Sequence, residues 1–297
     1  MTQIRAQERI VGVVFARSDH AHQTNLQSLI FQFSNLPIFQ STMTINYKTL
    51  LPLAIEAAEK ASEEILTVYH SSDFQAEAKG DNSPLTLADK KAHERIAAML
   101  APTDIPMLSE EGKSIPYEER RSWEYFWMVD PLDGTKEFIK RNDEFTVNIA
   151  LIHNGVPVLG VVAVPVFGDI YYGHDGGGAY LRRAGKDEVL PKRGTADLTK
   201  LGLRVVASRS HMNQETADFI ANLKEATLVS AGSSLKFMLL AEGKADVYPR
   251  YAPTMEWDTA AAHAIIRQVG MEVTQFGTSD PLVYNKENLL NPYFLVH

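Results

Sequence analysis

Two carboxylates and a hydroxyl directly follow an apolar run in the segment Asp130-Pro131-Leu132-Asp133-Gly134-Thr135. The run at 126–129 has the composition of a buried strand, which would hold Asp130 rigidly. Gly134 would let the chain turn tightly, so that Asp133 and Thr135 face the same point. Mg²⁺ prefers carboxylate, carbonyl and water oxygens, so the segment suits the site of a metal-dependent phosphatase. An Asp-Gly turn that caps a helix beginning near Thr135 would give the same local pattern.

Three further carboxylates lie where predicted elements begin or end. Asp89 falls in the first turn of a helix, Glu110 follows a short apolar strand, and Asp258 opens an alanine-rich helix. The two helix-terminal carboxylates also have an ordinary explanation, as a cap or as a charge that complements the helix dipole. Two metal ions about 3.5 to 4 Å apart can drive hydrolysis of a phosphate monoester if enough oxygen ligands hold them. The chain offers such ligands in Glu110, Asp130, the Leu132 carbonyl, Asp133 and Asp258.

Composition excludes several classes of protein. With 297 residues, 45% hydrophobic and 22% charged, the chain is long and apolar enough for one large domain or two closely packed ones. A formal net charge of -8 and the lack of a long basic block argue against a general nucleic-acid binder. The chain has no cysteine, which excludes disulfides, thiolate nucleophiles and Cys-ligated metals and fits a cytoplasmic protein. No apolar run approaches the roughly 20 residues that span a bilayer.

Residues 1–42 differ from the remainder of the chain. They are rich in Gln and Ser and lack a sustained helical or strand period, which predicts a disordered extension outside the fold. The apolar stretch at 10–16 is too short for a signal peptide, and no basic amphipathic helix predicts membrane binding. Because Met43 directly precedes a well-patterned helix, a translation start there is a hypothesis that N-terminal sequencing of the native protein tests.

From residue 43 onwards the sequence predicts two α/β halves, at 43–185 and 186–297. In the first half, helices at 47–69 and 86–100 precede an antiparallel meander with strands at 126–130, 144–152, 156–166, 170–174 and 178–181. The second half alternates strands at 203–207, 226–229 and 246–249 with helices at 214–223, 233–241 and 257–268. Such alternation favours helices packed on a smaller, mixed sheet.

The sequence resembles the inositol monophosphatase superfamily, the Mg²⁺-dependent, lithium-inhibited phosphatases, from about residue 47 to the C-terminus. The two signature blocks of that superfamily match residues 127–138 and 257–270. Within it, the segments 79–86, 130–141, 232–237 and 248–250 are similar to those of bacterial CysQ-type 3'(2'),5'-bisphosphate nucleotidases. The resemblance implies a layered αβαβα sugar-phosphatase fold, with a larger antiparallel sheet and a smaller mixed sheet.

The resemblance also implies a set of metal ligands. Glu110, Asp130 and the Leu132 carbonyl would hold one Mg²⁺, and Asp130, Asp133 and Asp258 would hold a second. Asp130 would bridge the two ions.

Three residues gain catalytic roles from the same resemblance. Asp89 would lie beside a third, weaker metal ion and the attacking water, and Thr135 would orient that water together with Glu110. A metal lowers the pKa of its bound water towards neutrality, so side chains need only orient the water and accept its proton. The water would attack in line, without a covalent phospho-enzyme.

A nucleotide that carries a second phosphate needs a permanent cationic clamp away from the metal ions. Lys236 and Arg250 fit that need. Each of three residues also has a purely structural interpretation when it is considered by itself. Ser233 could cap a helix, Lys236 could lie on a solvated helix face, and His211 could cap a loop. The resemblance implies substrate contacts for ten residues: Glu110, Leu132, Asp133, Gly134, Thr135, His211, Ser233, Lys236, Arg250 and Asp258.

The first predicted function is hydrolysis of the 3'-phosphate of adenosine 3',5'-bisphosphate (PAP) to AMP, extending to the sulfated analogue PAPS. The alternative is an inositol monophosphatase or related sugar phosphatase on the same metal core, although an uncharged ring offers two further cations nothing to bind. A non-catalytic sensor would be expected to have lost a ligand or Thr135, and all are present. Monomer and homodimer both remain open, as does weak peripheral attachment to the cytoplasmic face of the inner membrane.

Overall fold

The computed structural model describes residues 45–71, 76–78, 84–207 and 212–297. Asn46–His297 form one compact unit. The extension predicted at 1–42 and the candidate start at Met43 lie outside the described residues. The predicted boundary between residues 185 and 186 stays a prediction. No helix in the described ranges is both long and apolar enough to cross a membrane.

Two helices of the first half confirm the predicted period. Helix α1 (Tyr47–Tyr69) begins after Asn46, whose side chain accepts the Lys48 N–H. Half of its buried residues are alanines, which allows helix α2 (Leu87–Leu100) to pack closely against it. Strands β1 (Ala76–Ala78) and β2 (Pro84–Thr86) pair in antiparallel fashion just before α2. The pairing leads the chain into α2, whose first turn carries Asp89.

A seven-stranded sheet forms the centre of the fold. Its strands lie side by side in chain order: β3 (Met107–Ser109), β4 (Tyr125–Asp133), β5 (Thr146–His153), β6 (Val156–Val164), β7 (Asp169–His174), β8 (Gly178–Arg183) and β9 (Lys186–Val189). Strands β3 and β4 are parallel and every later pair is antiparallel, which confirms the predicted meander. The short helix α3 (Tyr117–Arg120) lies between β3 and β4 in the chain, and helix α4 (Thr135–Lys140) follows β4. The sequence did not predict β9, because all its residues are exposed and show no apolar alternation.

The smaller half contains the predicted mixed sheet. Its elements are β10 (Arg204–Ala207), α5 (Gln214–Ala221), β11 (Thr227–Ser230), α6 (Leu235–Ala241), β12 (Tyr248–Arg250), α7 (Ala260–Gln268), β13 (Val273–Gln275) and β14 (Phe294–Val296). Strands β10 and β11 are parallel, and β14 lies antiparallel between β12 and β13. A parallel bridge between Val205 and Val247 joins the two groups of strands.

Helices and sheets alternate as layers through the molecule. Helix α1 packs on β5, β6 and β7, and α7 packs on the same sheet and against α6. Because the residues of β5 are buried on both faces, the large sheet is covered on both sides. Helix α6 also packs on β10 and β12, and α5 packs on β12. The order helix, sheet, helix, sheet, helix is the predicted layered arrangement, and it sets the starts of α6 and α7 beside the end of β4.

Candidate active site

The end of β4 forms a rigid corner around Asp130, which is only 1% exposed. The Leu132 N–H donates to Asp130 Oδ1 at 3.1 Å, and the pairing with β5 shifts register between Asp130 and Asp133. Gly134 has a φ of +96°, and a Cβ there would lie 3.2 Å from the Glu144 carbonyl oxygen. Glycine is therefore required here, and the chain turns directly into helix α4 (Thr135–Lys140). The corner is thus both a strand end with two carboxylates and a helix start.

Thr135 connects this corner to α2. Its Oγ1 lies 3.5 Å from Asp89 Oδ2 and 3.4 Å from the Leu132 carbonyl oxygen. Asp89 is buried, with 1% of its surface exposed, so it does more than complement the dipole of a solvated helix end. The structure therefore brings Asp89 of α2 close to Leu132 and Thr135 at the end of β4.

Asp258 does not cap α7, so that interpretation was wrong. The helix begins at Ala260, with Thr259 at the capping position and no side-chain cap. The Asp258 carboxylate instead turns back along its own loop and accepts the Met255 N–H at 2.9 Å. Its backbone carbonyl accepts the hydroxyl of Ser234 at 2.8 Å. Asp258 is thus held by hydrogen bonds to its own loop and to Ser234.

Ser234 is a connecting residue that the sequence did not reveal. Its hydroxyl lies 3.1 Å from Asp133 Oδ2 as well as 2.8 Å from the Asp258 carbonyl oxygen, and the residue is 1% exposed. Ser234 occupies the N-cap position of α6, yet its hydroxyl does not cap that helix. The start of α6 is therefore tied to both carboxylate-bearing segments.

The carboxylates of the candidate site interact electrostatically with one another. Burial raises the pKa of Asp130 well above its ordinary value, and Glu110, Asp133, Asp258 and Asp89 raise it further. Burial, followed by Asp133, raises the pKa of Asp258 in the same way. Such mutual repulsion identifies an acidic cluster that a cation would stabilise.

The donor set fits a hard divalent cation. Asp130 and the four carboxylates that repel it, with the Leu132 carbonyl nearby, are oxygen ligands of the type that Mg²⁺ prefers. Within the described residues, no three Asp, Glu, His or Cys side chains already form a complete ligand set for a metal ion. The cluster is therefore assembled electrostatically but not closed around a single point.

A cavity of about 120 Å³ adjoins the acidic cluster. Lys236 lines it and is only 6% exposed, so the interpretation as a solvated helix residue was wrong. Its Nζ donates to the Ser233 carbonyl oxygen at 2.7 Å and lies 5.8 Å from the centre of the Tyr248 ring. Burial lowers the pKa of Lys236 to about 8, while Asp133 raises it and Arg250 lowers it. Buried Lys236 therefore shares the cavity with two further cations, Lys136 and Arg250.

Unpaired polar atoms gather at the same cavity. Among the described residues, five buried side-chain atoms have no hydrogen-bond partner, and three of them belong to lining residues: Ser233 Oγ, Arg250 Nε and Thr254 Oγ1. Ser233 has a φ of +42° and precedes the capping position, so it is not the helix cap that was one interpretation. Buried polar groups in proteins are normally paired. Three unpaired buried atoms at one cavity therefore indicate that a ligand with hydrogen-bonding groups binds there.

The cavity lies where parallel strands end. Strands β10, β11 and β12 run parallel and finish at Ala207, Ser230 and Arg250, and ligands commonly bind at this edge of such sheets. His211 follows β10 in the segment 208–211, outside the described residues, so its contact with substrate stays a prediction. No motif in the sequence indicated Thr254, which lies in the loop after β12.

The model of the inositol monophosphatase family matches residues 46–293. The chain therefore belongs to the inositol monophosphatase family, whose members are metal-dependent phosphatases, typically using Mg²⁺. This confirms the family, the fold and the enzyme class that the sequence predicted.

Within this family, the chain is similar to several proteins named as 3'(2'),5'-bisphosphate nucleotidases. The 3'(2'),5'-bisphosphate nucleotidase CysQ of Shigella flexneri is 44% identical over 252 residues, which cover 83% of this chain and 99% of the relative. CysQ of Escherichia coli strain K12 is 43% identical with the same coverage. The crystal structure of CysQ from Bacteroides thetaiotaomicron has a TM-score of 0.76 and 50% identity, covering 84% of this chain and 97% of that one. Inositol monophosphatase-II of Staphylococcus aureus, at 20% identity and a TM-score of 0.67, shares the fold; the alignment covers 84% of this chain and 91% of that one.

Proposed function

We propose that the protein is a Mg²⁺-dependent 3'(2'),5'-bisphosphate nucleotidase that hydrolyses the 3'-phosphate of PAP to give AMP and phosphate. PAPS would be a second substrate and would give adenosine 5'-phosphosulfate. The observation that carries the proposal is the cavity directly beside the acidic cluster, because the cations Lys236 and Arg250 are among its lining residues. The relatives named CysQ support it independently.

The charges of the two regions match the two ends of such a substrate. The scissile phosphate would lie at the acidic cluster with its metal ions, and the second phosphate would enter the cavity. Burying Lys236 is unfavourable in the empty protein, and an anion would offset that cost. Phosphate oxygens would also accept hydrogen bonds from Ser233 Oγ and Arg250 Nε, whose buried atoms are unpaired among the described residues. An inositol ring carries no group that pairs with two cations.

The proposed metal ligands follow the predicted set. Glu110, Asp130 and the Leu132 carbonyl would hold one Mg²⁺, and Asp130, Asp133 and Asp258 a second. When bound, the ions would neutralise the phosphate and lower the pKa of a coordinated water towards neutrality. A third, weaker ion beside Asp89 remains part of this proposal.

The side chains have the task of orienting the attacking water. The Thr135 hydroxyl has one proton to donate, towards Asp89 or the Leu132 carbonyl, which leaves its lone pairs to accept a hydrogen bond from water. Glu110 would orient the same water and accept its proton. The water oxygen would bond to phosphorus as the bond from phosphorus to the 3'-oxygen breaks. The 3'-oxygen would take up a proton from solvent water, so that AMP leaves as the alcohol without a covalent intermediate.

Phosphate release from PAP, adenosine 3'-phosphate and inositol 1-phosphate, compared in Mg²⁺ and in EDTA, tests the proposal. We expect PAP to be strongly preferred and EDTA to abolish turnover. Preference for inositol 1-phosphate would retain the metal site and favour the alternative of a sugar phosphatase. Absence of turnover on all three would favour a non-catalytic sensor.

The location of the protein in the cell and its oligomeric state remain predictions. A nucleotidase of small metabolites is expected in the cytoplasm, and weak attachment to the inner face of the membrane is a separate hypothesis. Fractionation of cells separates the two, because a peripheral protein sediments with membranes and is released by high salt. Size-exclusion chromatography with light scattering distinguishes a monomer from a homodimer.

A further inference from the structure

Thr254 lines the cavity that holds Lys236 and Arg250, and its hydroxyl lacks a partner there. The residue lies in the loop after β12, with Oγ1 buried and unpaired among the described residues. Valine has nearly the same shape and would avoid the unfavourable burial of a hydroxyl. A threonine at this position therefore suggests that the hydroxyl gains a partner when the cavity is filled.

The backbone around Thr254 is held from two sides. The Asn291 N–H donates to the Thr254 carbonyl oxygen at 2.9 Å, and Asn291 Nδ2 donates to the Met255 carbonyl oxygen at 2.9 Å. Arg250 Nη2 donates to the Pro253 carbonyl oxygen at 3.1 Å. The loop therefore presents its side chain from a fixed position, and rotation about the Cα–Cβ bond is enough to re-aim the hydroxyl.

The unpaired groups at this cavity share one property, which is that each can donate a hydrogen bond. Ser233 and Thr254 contribute hydroxyl protons, Arg250 contributes an Nε–H, and Lys236 adds a positive charge. Phosphate or sulfate presents several acceptor oxygens and no donors when ionised, so it can pair with all of these groups at once. Three carboxylates, Asp133, Glu137 and Asp258, also line the cavity and would repel an anion. An anion therefore depends on direct hydrogen bonds to the donor groups for its binding.

We propose that Thr254 is a specificity-determining residue whose hydroxyl donates to the substrate phosphate that is not cleaved. The inference rests on the proposed function, because it assumes that this phosphate enters the cavity. It adds a contact that neither the motifs nor the family resemblance indicated.

The test compares Thr254→Val with Thr254→Ser, and uses Thr227→Val as the matched control. Thr227 lies in β11 with its side chain exposed, so its substitution removes a hydroxyl away from the cavity. The first readout is the ratio of kcat/KM for PAP to that for adenosine 3'-phosphate, which lacks the 5'-phosphate. The second is the Kd of AMP for the metal-free protein, measured in EDTA by calorimetry.

We expect Thr254→Val to lower the ratio and raise the Kd of AMP by about tenfold or more, as loss of a hydrogen bond to a charged group does. Thr254→Ser should retain most of both, and Thr227→Val should change neither. An unchanged ratio and Kd in Thr254→Val, with wild type still preferring PAP, would overturn the role of Thr254 alone. Wild type that neither prefers PAP nor binds AMP would overturn the proposed function and this inference together.

Discussion

Replacing Lys236 with Met removes a buried charge while keeping an unbranched side chain of similar length. Burial lowers the pKa of Lys236 from 10.5 to about 8. Since one pKa unit corresponds to about 1.4 kcal/mol, the shift opposes folding at neutral pH by roughly 3 kcal/mol. This shift already includes the attraction to Asp133. Loss of the hydrogen bond from Nζ to the Ser233 carbonyl oxygen offsets part of the gain, so we expect Lys236→Met to raise the free energy of unfolding by about 1 to 3 kcal/mol.

The expected effect depends on pH in one direction. Between pH 8 and 10.5, the unfolded chain keeps a proton that Lys236 releases in the folded protein. The unfolded state then binds more protons, so this group makes the free energy of unfolding of wild type rise across the window. Below the window the full penalty is present. Lys236→Met lacks the contribution, so the stability difference between the two proteins should shrink as the pH rises.

Urea denaturation in EDTA, at about pH 7 and again at about pH 9.5, measures this difference directly. Lys224→Met is the matched control, because Lys224 is exposed and its removal relieves no buried charge. Lys236→Met should impair catalysis although it stabilises the fold: we expect the KM for PAP to rise about 10- to 100-fold, because a charged contact with the substrate is lost. If Lys236→Met were no more stable than wild type near pH 7, or if the difference were constant with pH, the assignment of a buried, destabilising cation would be wrong.

Three other substitutions test separate parts of the structure. Asp130→Asn should abolish phosphate release, and undiminished turnover would contradict this. Without metal, the same substitution should raise the free energy of unfolding in urea by about 1 to 3 kcal/mol, because it relieves repulsion among the carboxylates. This gain should shrink as the pH falls, because Asp130 of the wild type then takes up a proton. Gly160→Ala would place a Cβ 2.1 Å from the Ala261 carbonyl oxygen, so we expect a loss of about 3 kcal/mol or more by thermal melting, and an unchanged Tm would refute the close approach of α7 to β6. Tyr284→Phe removes the hydroxyl 2.9 Å from buried His263 Nδ1 and should cost about 1 to 3 kcal/mol in the same melts, whereas no loss would mean that water replaces it.

The sequence predicted those parts of the fold whose periodicity is strong. Strands β5 and β6 are buried along nearly their whole length and end at Gly or Asn turns, so their boundaries could be read closely. Helix α1 has the predicted limits because its apolar face repeats over 23 residues. The short strands β13 and β14 escaped prediction, since three residues carry too little pattern to separate a strand from a loop.

The candidate site was predictable where its residues form a recognisable segment, and not where single side chains meet across the fold. The end of β4 carries its chemistry in consecutive residues, so Asp130 and Thr135 could be found from the sequence. Ser234 contacts Asp133, 101 residues away, and nothing in its own neighbourhood indicates this. Lys236 was ambiguous for the same reason, because only the packing of α6 against the rest of the molecule decides whether its charge is buried.

Asp133 joins the two halves of the site energetically. It raises the pKa of Asp258 on one side, and it stabilises the charge of Lys236 on the other, while Lys236 in turn lowers the pKa of Asp133. A cation bound at the acidic cluster would neutralise Asp133 and so weaken the attraction between Asp133 and the charge of Lys236. The lysine is then more dependent on an anion in the cavity. Two regions that are each unfavourable when empty thus become complementary to a ligand with a phosphate at each end, and sharing one carboxylate makes occupation of one depend on the other.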